Sequence, residues 1–338
     1  REKVFSLDVF KDIGNPKKFE QAFGGLYSSA IPKRKQDRPN QNLAVWDNLF
    51  LNESGNFRPR IFTFDGYAIK GPAFFRHNNK IYSEYNSSHI TNRSHKAIMR
   101  RWDFNEPSII EHSLTSNERI LINQRESKIL SYIDSQEEDL MDIHLSFKPP
   151  GQKTNDTELY NFPGNKARLD DFISRNKGKL TPVKRIELVK IFISHLARLH
   201  QINVAHRNIG PHSVWLSNSS LGVTLSSFVA ASYPKEKKIS QQLLNILAHK
   251  KIQAPEDLNG KDEELPFARD VFLAGSVAHL IVFGEWPSKS ENGIYYWQPI
   301  DGDDFKGSLN SWFEKLLDFE AVNRFDNLTI ALDDLFES

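Results

Sequence analysis

Apolar and polar positions follow a short period in the first third of the chain and a helical period after it. Arg60 to Phe64, Tyr67 to Phe75, Lys80 to Tyr85 and Lys96 to Phe104 carry alternating or β-branched and aromatic residues between Asn, Ser and Gly clusters, which predicts short strands. Residues 117 to 133 predict a helix: Ile122, Ile129, Leu130 and Ile133 fall near helical spacing, with Glu126 inside. Two more strands are expected at 139–147 and 157–162, and Pro163-Gly164 turns the chain. Arg168 to Arg175 reads as a short helix. Thr181-Pro182 opens a longer one, a capping hydroxyl followed by Pro at the first helical position. Its expected buried stripe is Val183, Ile186, Val189, Phe192, Leu196 and Leu199. Further helices are predicted at 270–283, 309–317 and 327–336. The order is therefore several strands with one helix, then a mostly helical half, without internal repeat or low-complexity tract.

The 338 residues are 39% apolar and include 24 Phe and 6 Trp, enough for a sizeable core. Net charge is +1, so no global field points to nucleic acid or membrane. Cys is absent, which excludes disulfides, thiolate metal sites and a Cys nucleophile. It leans toward a reducing compartment, so a cytoplasmic location is expected. No apolar run approaches the roughly 18 residues of a spanning helix, and residues 1 to 20 lack a signal-peptide pattern. The chain begins at Arg1 without Met and reads as a piece of something longer. Ile31 to Pro39 is a basic stretch that reads as a solvated loop; no aromatic residues interleave its charges, so a nucleic-acid contact is not expected. Eleven His invite a metal reading, but without Cys or an HExxH helix, His195 and His200 are assigned to the core or a helix face.

The most informative stretch is Ala205-His206-Arg207-Asn208-Ile209-Gly210-Pro211-His212-Ser213. It resembles the catalytic loop of protein kinases, His-Arg-Asp-Leu-x-Pro-x-Asn, with the base Asp replaced by Asn208 and the metal-holding Asn by Ser213. Downstream, Ser226-Ser227-Phe228-Val229 resembles the Asp-Phe-Gly region with its metal-binding Asp replaced by Ser227. Ala254-Pro255-Glu256 is an intact Ala-Pro-Glu. Asp270 lies in a segment resembling the helix whose buried Asp braces the catalytic loop, and Arg324 sits where the family places the partner of that Glu. The resemblance covers residues 180 to 330 well and 95 to 175 loosely.

The resemblance implies an α+β, bilobal protein-kinase-like fold: a small β-rich N-lobe with one long helix, and a larger, mostly α-helical C-lobe. The implied boundaries are 1–58 for an N-terminal extension or linker, 59–162 for the N-lobe and 163–338 for the C-lobe. The strand Lys and helix Glu that grip nucleotide phosphates correspond to Arg100 and Glu126; a one-residue slip would put Met99 in place of Arg100. The nearest equivalent of the glycine-rich loop, Phe74 to Ile81, has no glycine. His206, Arg207, Phe228, Glu256, Asp270 and Arg324 are then structural, and no residue is assigned a catalytic or metal role. The expectation is a pseudokinase, not an enzyme, without cofactor, whose partner is another protein or other domains of a larger chain. The alternative is an atypical ATP-dependent transferase with a rearranged site using Asp103, Glu126 or Asp170. Ser232, Tyr233 and Ser240 are candidate modification sites near Arg207. The segment Ile239 to Leu247 is a candidate amphipathic helix that covers the cleft or meets a partner.

Overall fold

The computed structural model describes residues 49–51, 57–59, 62–77, 81–104, 114–136, 147–148, 156–162, 164–176, 178–217, 221–234, 239, 241–247, 252–259 and 267–337. The basic stretch Ile31 to Pro39, Lys235 to Lys238 and Ser240 lie outside them. The architecture is mixed α+β, with an antiparallel sheet and several helices. The chain divides into two compact units, Arg1–Lys70 with Ser87–His95, and Gly71–Asn86 with Lys96–Ser338.

In the first unit, β1 (Leu49–Leu51) and β2 (Phe57–Pro59) pair antiparallel. A hairpin joins β3 (Thr63–Phe64) to β4 (Tyr67–Ile69) through Asp65 and Gly66, both at positive φ. A Cβ at Gly66 would come within 2.7 Å of the His89 ring, so the turn needs glycine twice over.

The second unit holds β5 (Phe75–Arg76), the first part of β6 (Tyr82–His89), β7 (Lys96–Trp102), β8 (Phe147–Lys148) and β9 (Thr157–Asn161). Neighbouring strands run β6-β7-β9-β8, with β5 pairing onto β6. The strand expected over 67–75 is interrupted, because the backbone bends at Gly71, which has φ 75°. Helix α1 (Ser116–Asp134) starts on a capping box: Thr115 Oγ1 accepts from Glu118 N at 3.3 Å, and the Glu118 carboxylate accepts from Thr115 N at 2.8 Å. It buries Ile122, Ile129, Leu130 and Ile133, the expected apolar set, together with Glu126.

The helical part follows with β10 (Ala167–Arg168), α2 (Leu169–Asn176) and α3 (Pro182–Gln201). Thr181 caps α3 by accepting from Lys184 N at 3.3 Å. Its buried face starts later than the sequence implied: Val183, in the first turn, is 67% exposed, whereas Val189, Phe192, Leu196 and Leu199 are buried. Next come β11 (Val214–Leu216), β12 (Val223–Leu225), a 3-10 turn (Phe228–Ala230), α4 (Gln241–Leu247), α5 (Pro255–Asn259) and α6 (Ala268–Phe283). The chain ends with β13 (Ser288–Lys289), β14 (Tyr295–Tyr296), α7 (Asn310–Leu316) and α8 (Leu328–Glu337). Helix α6 is buried on every face up to Val282, as its near-continuous apolar sequence requires. Gly275 lets α7 approach it closely, since a Cβ there would sit 2.7 Å from Leu316 Cβ.

One large apolar cluster joins α3, α6, α7 and α8 to β11, β12, α1, β7 and β9. A smaller cluster gathers Ile81, Tyr82, Trp102, Leu114 and Ile122 with Val229, Ala230, Leu244 and Leu247. Both cross the 162/163 boundary, so the strands and the helical half share their cores. Among the described residues, no helix is long and apolar enough to cross a membrane.

Candidate functional site

The site forms where the loop Val204 to Ser213, the segment Ser226 to Ala230 and the strand–helix pair β7/α1 converge. The loop leaves α3 through Asn203 at φ 58° and is buried from Val204 onward. Asp270, in the first turn of α6, holds it. Its carboxylate accepts His206 N at 2.6 Å, Arg207 N at 2.7 Å and His200 Nε2 at 3.2 Å. Arg207 has φ 61°, a strained conformation for a bulky side chain, and the two backbone bonds to Asp270 fix it there. Burial pushes the Asp270 carboxyl up, but the His200 hydrogen bond, the neighbouring imidazoles and the Arg207 N–H outweigh it and leave it below the usual range.

The two histidines are structural. Nε2 of His200 bonds Asp270 while its Nδ1 accepts from Leu328 N at 3.2 Å. Nε2 of His206 donates to Ser226 O at 3.0 Å and its Nδ1 accepts from Asn208 N at 3.3 Å. Burial holds His206 below the ordinary imidazole range, and its ring packs 4.5 Å from Phe228.

Asn208, Ser213 and Ser227 are all buried, and none brings a charge. Asn208 Nδ2 has no hydrogen-bond partner. Ser213 Oγ accepts from Gly210 N at 2.9 Å and donates to Gly210 O at 3.2 Å, so it closes its own turn. Ser227 sits at φ 64° and its Oγ accepts from the Tyr82 hydroxyl at 3.3 Å.

Across from them lies a buried chain of charges, Arg168–Glu84–Arg100–Glu126. In β7 the side chain turned toward α1 is that of Arg100, in register with Glu158 of β9. Arg100 is 1% exposed, donates to Glu84 at 2.8 and 3.0 Å, and pairs with Glu126. Its charge is secured: burial lowers its pKa, but Glu126, Tyr160 and Glu84 raise it well above the ordinary value. Burial pushes the Glu126 carboxyl up against the pull of Arg100. Glu158 accepts from Trp102 Nε1 at 2.8 Å, from the Tyr160 hydroxyl at 3.0 Å and from Asn123, and burial still raises its pKa to about 7.

No family model matches this chain, and no curated protein is significantly similar to it. The chemistry is therefore read from the site itself. Among the described residues, no three His, Asp or Glu side chains are grouped so as to hold a metal ion. Of the substitute ligands considered, Glu126 is committed to Arg100, while Asp103 and Asp170 are exposed.

Aromatic side chains fill the space between β5 and the loop. Phe75 stacks on His212 at 5.9 Å, Phe74 meets Trp215 edge-on at 6.2 Å, and the Arg168 guanidinium lies 4.3 Å from the Phe75 ring. Helix α4 seats Leu244 and Leu247 in the smaller apolar cluster, and Leu247 O lies 3.2 Å from His77 Nε2.

Glu256 pairs with Arg324, which also donates to Ala268 O at 2.9 Å and Asp318 O at 2.7 Å. The modification sites fare differently. Ser232 and Tyr233 are each 7% exposed; Ser232 exchanges backbone bonds with Ala205, and Tyr233 packs on Tyr132. Both are closed to a modifying enzyme. Sequence reasoning missed Tyr82, Glu84, Glu158 and Arg168. Strand alternation held a signal for Glu84, which shares a face with Tyr82 two residues earlier.

Proposed function

We propose that this chain is a pseudokinase: a bilobal, protein-kinase-like domain that does not transfer phosphate and acts as a protein-interaction or allosteric module. The carrying observation is the set Asn208, Ser213 and Ser227, three buried neutral side chains where the family resemblance calls for a base and two metal ligands. Asn208 cannot take a proton from a hydroxyl at neutral pH, and loss of a general base alone costs about 10²- to 10⁴-fold in rate. Ser213 and Ser227 offer hydroxyls already bonded to Gly210 and Tyr82, which are poor ligands for a hard dication.

Further support comes from what stands in place of the phosphate grip. Arg100 is neutralised by two carboxylates and shielded from solvent, so it has no charge to spare for a phosphate. Phe74 and Phe75, in the segment matched to the glycine-rich loop, pack against Arg168, which supports a site that does not cradle phosphate. The braces Asp270 and Glu256–Arg324 are intact, which fits a scaffold kept for its shape. The lack of Cys fits a cytoplasmic setting.

Incubation with radiolabelled ATP, Mg²⁺ and generic protein substrates tests the reading. The expected outcome is no label on the chain or on any substrate. Sustained transfer that Glu126→Ala abolishes would overturn it in favour of a rearranged transferase.

A further inference from the structure

Helix α4 covers an apolar face beside the candidate site. Leu244 and Leu247 are fully buried and share one cluster with Ile81, Tyr82, Trp102, Ile122 and Val229. The face beneath them is drawn from the start of β6, the end of β7, α1 and the 3-10 turn. Two of its rings are pinned from behind. Trp102 Nε1 donates to Glu158 at 2.8 Å, and the Tyr82 hydroxyl donates to Ser227 Oγ at 3.3 Å. These bonds do not involve α4, so the face is organised without it. At the end of the helix, Leu247 O lies 3.2 Å from His77 Nε2.

Helix α4 is too short to stand alone. It has seven residues, about half the length at which an isolated helix becomes even marginal in water. Its helical form is supplied by the face it sits on. Residues 239–248 carry no charge, whereas Lys235, Lys237 and Lys238 precede them and Lys250 and Lys251 follow. Lysine is among the residues least often buried, so both ends of the segment are drawn toward water. Leu244 and Leu247 stand three positions apart, the spacing with which a short helix lays an apolar stripe into a hydrophobic groove. Here ligand and groove belong to one chain.

We propose that α4 is a detachable strap. It opens locally while the rest of the fold stays intact, and the face it leaves takes a short helix of a partner protein with the same Leu-x-x-Leu spacing. The helix already seated specifies that occupant: two leucines side by side, and a backbone oxygen that reaches His77. A charge at either leucine position would be buried without a partner and is rejected. The proposal names a partner class for the interaction module and rests on that reading.

The chain has no Cys, so one introduced thiol reports its own exposure. Leu244→Cys in α4 is compared with Leu273→Cys in α6, also buried, by the rate of reaction with an aromatic disulfide reagent in native buffer. Position 244 is expected to react at least about tenfold faster, at a rate insensitive to low urea, as local opening requires. Equal rates that rise together with urea overturn the proposal, because α4 then opens only when the whole fold does.

The groove is probed with a labelled peptide of residues 238–251 and the whole chain, by fluorescence polarisation. A seated strap lowers the apparent affinity by the fraction of chains that are open, so Leu244→Asp/Leu247→Asp should bind the peptide at least about tenfold more tightly than wild type. The peptide carrying the same two aspartates should bind neither. No saturable binding to the double variant, or equal binding to both chains, overturns the proposal. If the double variant lacks a cooperative melting transition, the peptide is added to Leu244→Cys instead. It should speed thiol modification by holding α4 off, and no acceleration overturns the proposal. A failure of these arms without phosphate transfer rejects the strap alone; phosphate transfer rejects the pseudokinase reading whatever α4 does.

Discussion

The Tyr82 hydroxyl donates to Ser227 Oγ at 3.3 Å, joining the sheet to the segment that precedes the Phe228–Ala230 turn. Ser227 is 1% exposed, and Tyr82, its pKa pushed up to about 12 by burial, remains a neutral donor. Placing a carboxylate there with Ser227→Asp, as the proposed kinase resemblance would have it, would therefore bury a charge beside Tyr82, whose own surroundings include Glu84 and Glu126. Asp tolerates the φ of 64° well, so backbone strain is not the obstacle. The variant is expected to lose about 2–4 kcal/mol at pH 7 and to recover part of it in acid, where the new group is protonated. Urea denaturation at two pH values measures this; an unchanged midpoint at pH 7 contradicts it.

Asp270→Asn keeps the shape of the brace and removes its charge. Three donors lose a charged acceptor, and the left-handed Arg207 backbone loses its clamp. Hydrogen bonds to charged groups are worth about 1.5–3 kcal/mol each, so a loss of about 3–5 kcal/mol is expected, read from chemical denaturation.

Glu256→Ala leaves the Arg324 guanidinium buried with backbone carbonyls alone. Breaking a buried pair from one side costs about 3–5 kcal/mol. A double-mutant cycle with Arg324→Met should show strong coupling, and additive losses would show that the pair is not a unit.

Glu158 makes stability depend on pH. Its folded pKa, about 7, lies above the ordinary carboxyl value of 4.5, so the folded chain holds a proton that the unfolded chain releases. Stability from this group is fully present below the unfolded value and is lost as pH rises through about 7. Glu126, also raised, acts in the same direction. Glu158→Gln keeps an acceptor for Trp102 and should flatten the fall in melting temperature between pH 5 and 8, relative to wild type. Parallel pH profiles would contradict this.

Much of this was legible in the sequence because local chemistry decides it. The Thr181-Pro182 start, the Ile122 to Ile133 stripe and the near-continuous apolar run of α6 each follow from period and capping. The pairing of Arg100 with Glu126 was suggested by the resemblance to protein kinases and the strand register. The rest depends on which distant residues meet. Nothing near Arg168 in the chain signals Glu84, 84 positions earlier. Val183 matched the apolar stripe and is exposed, because periodicity places a residue on a face without saying how far the covering elements reach. Ser232 and Tyr233 looked like loop residues, yet a single bridge to Ala205 buries them.

The proposed pseudokinase reading holds that Asn208, Ser213 and Ser227 leave the site without the charges that would hold a dication with a nucleotide. Thermal denaturation of the whole chain with ATP, in the presence and absence of Mg²⁺, tests it most directly, since any ligand bound to the folded state alone raises the melting temperature. No metal-dependent rise is predicted at any ATP concentration. A rise of several degrees that appears only when Mg²⁺ is added would contradict the account.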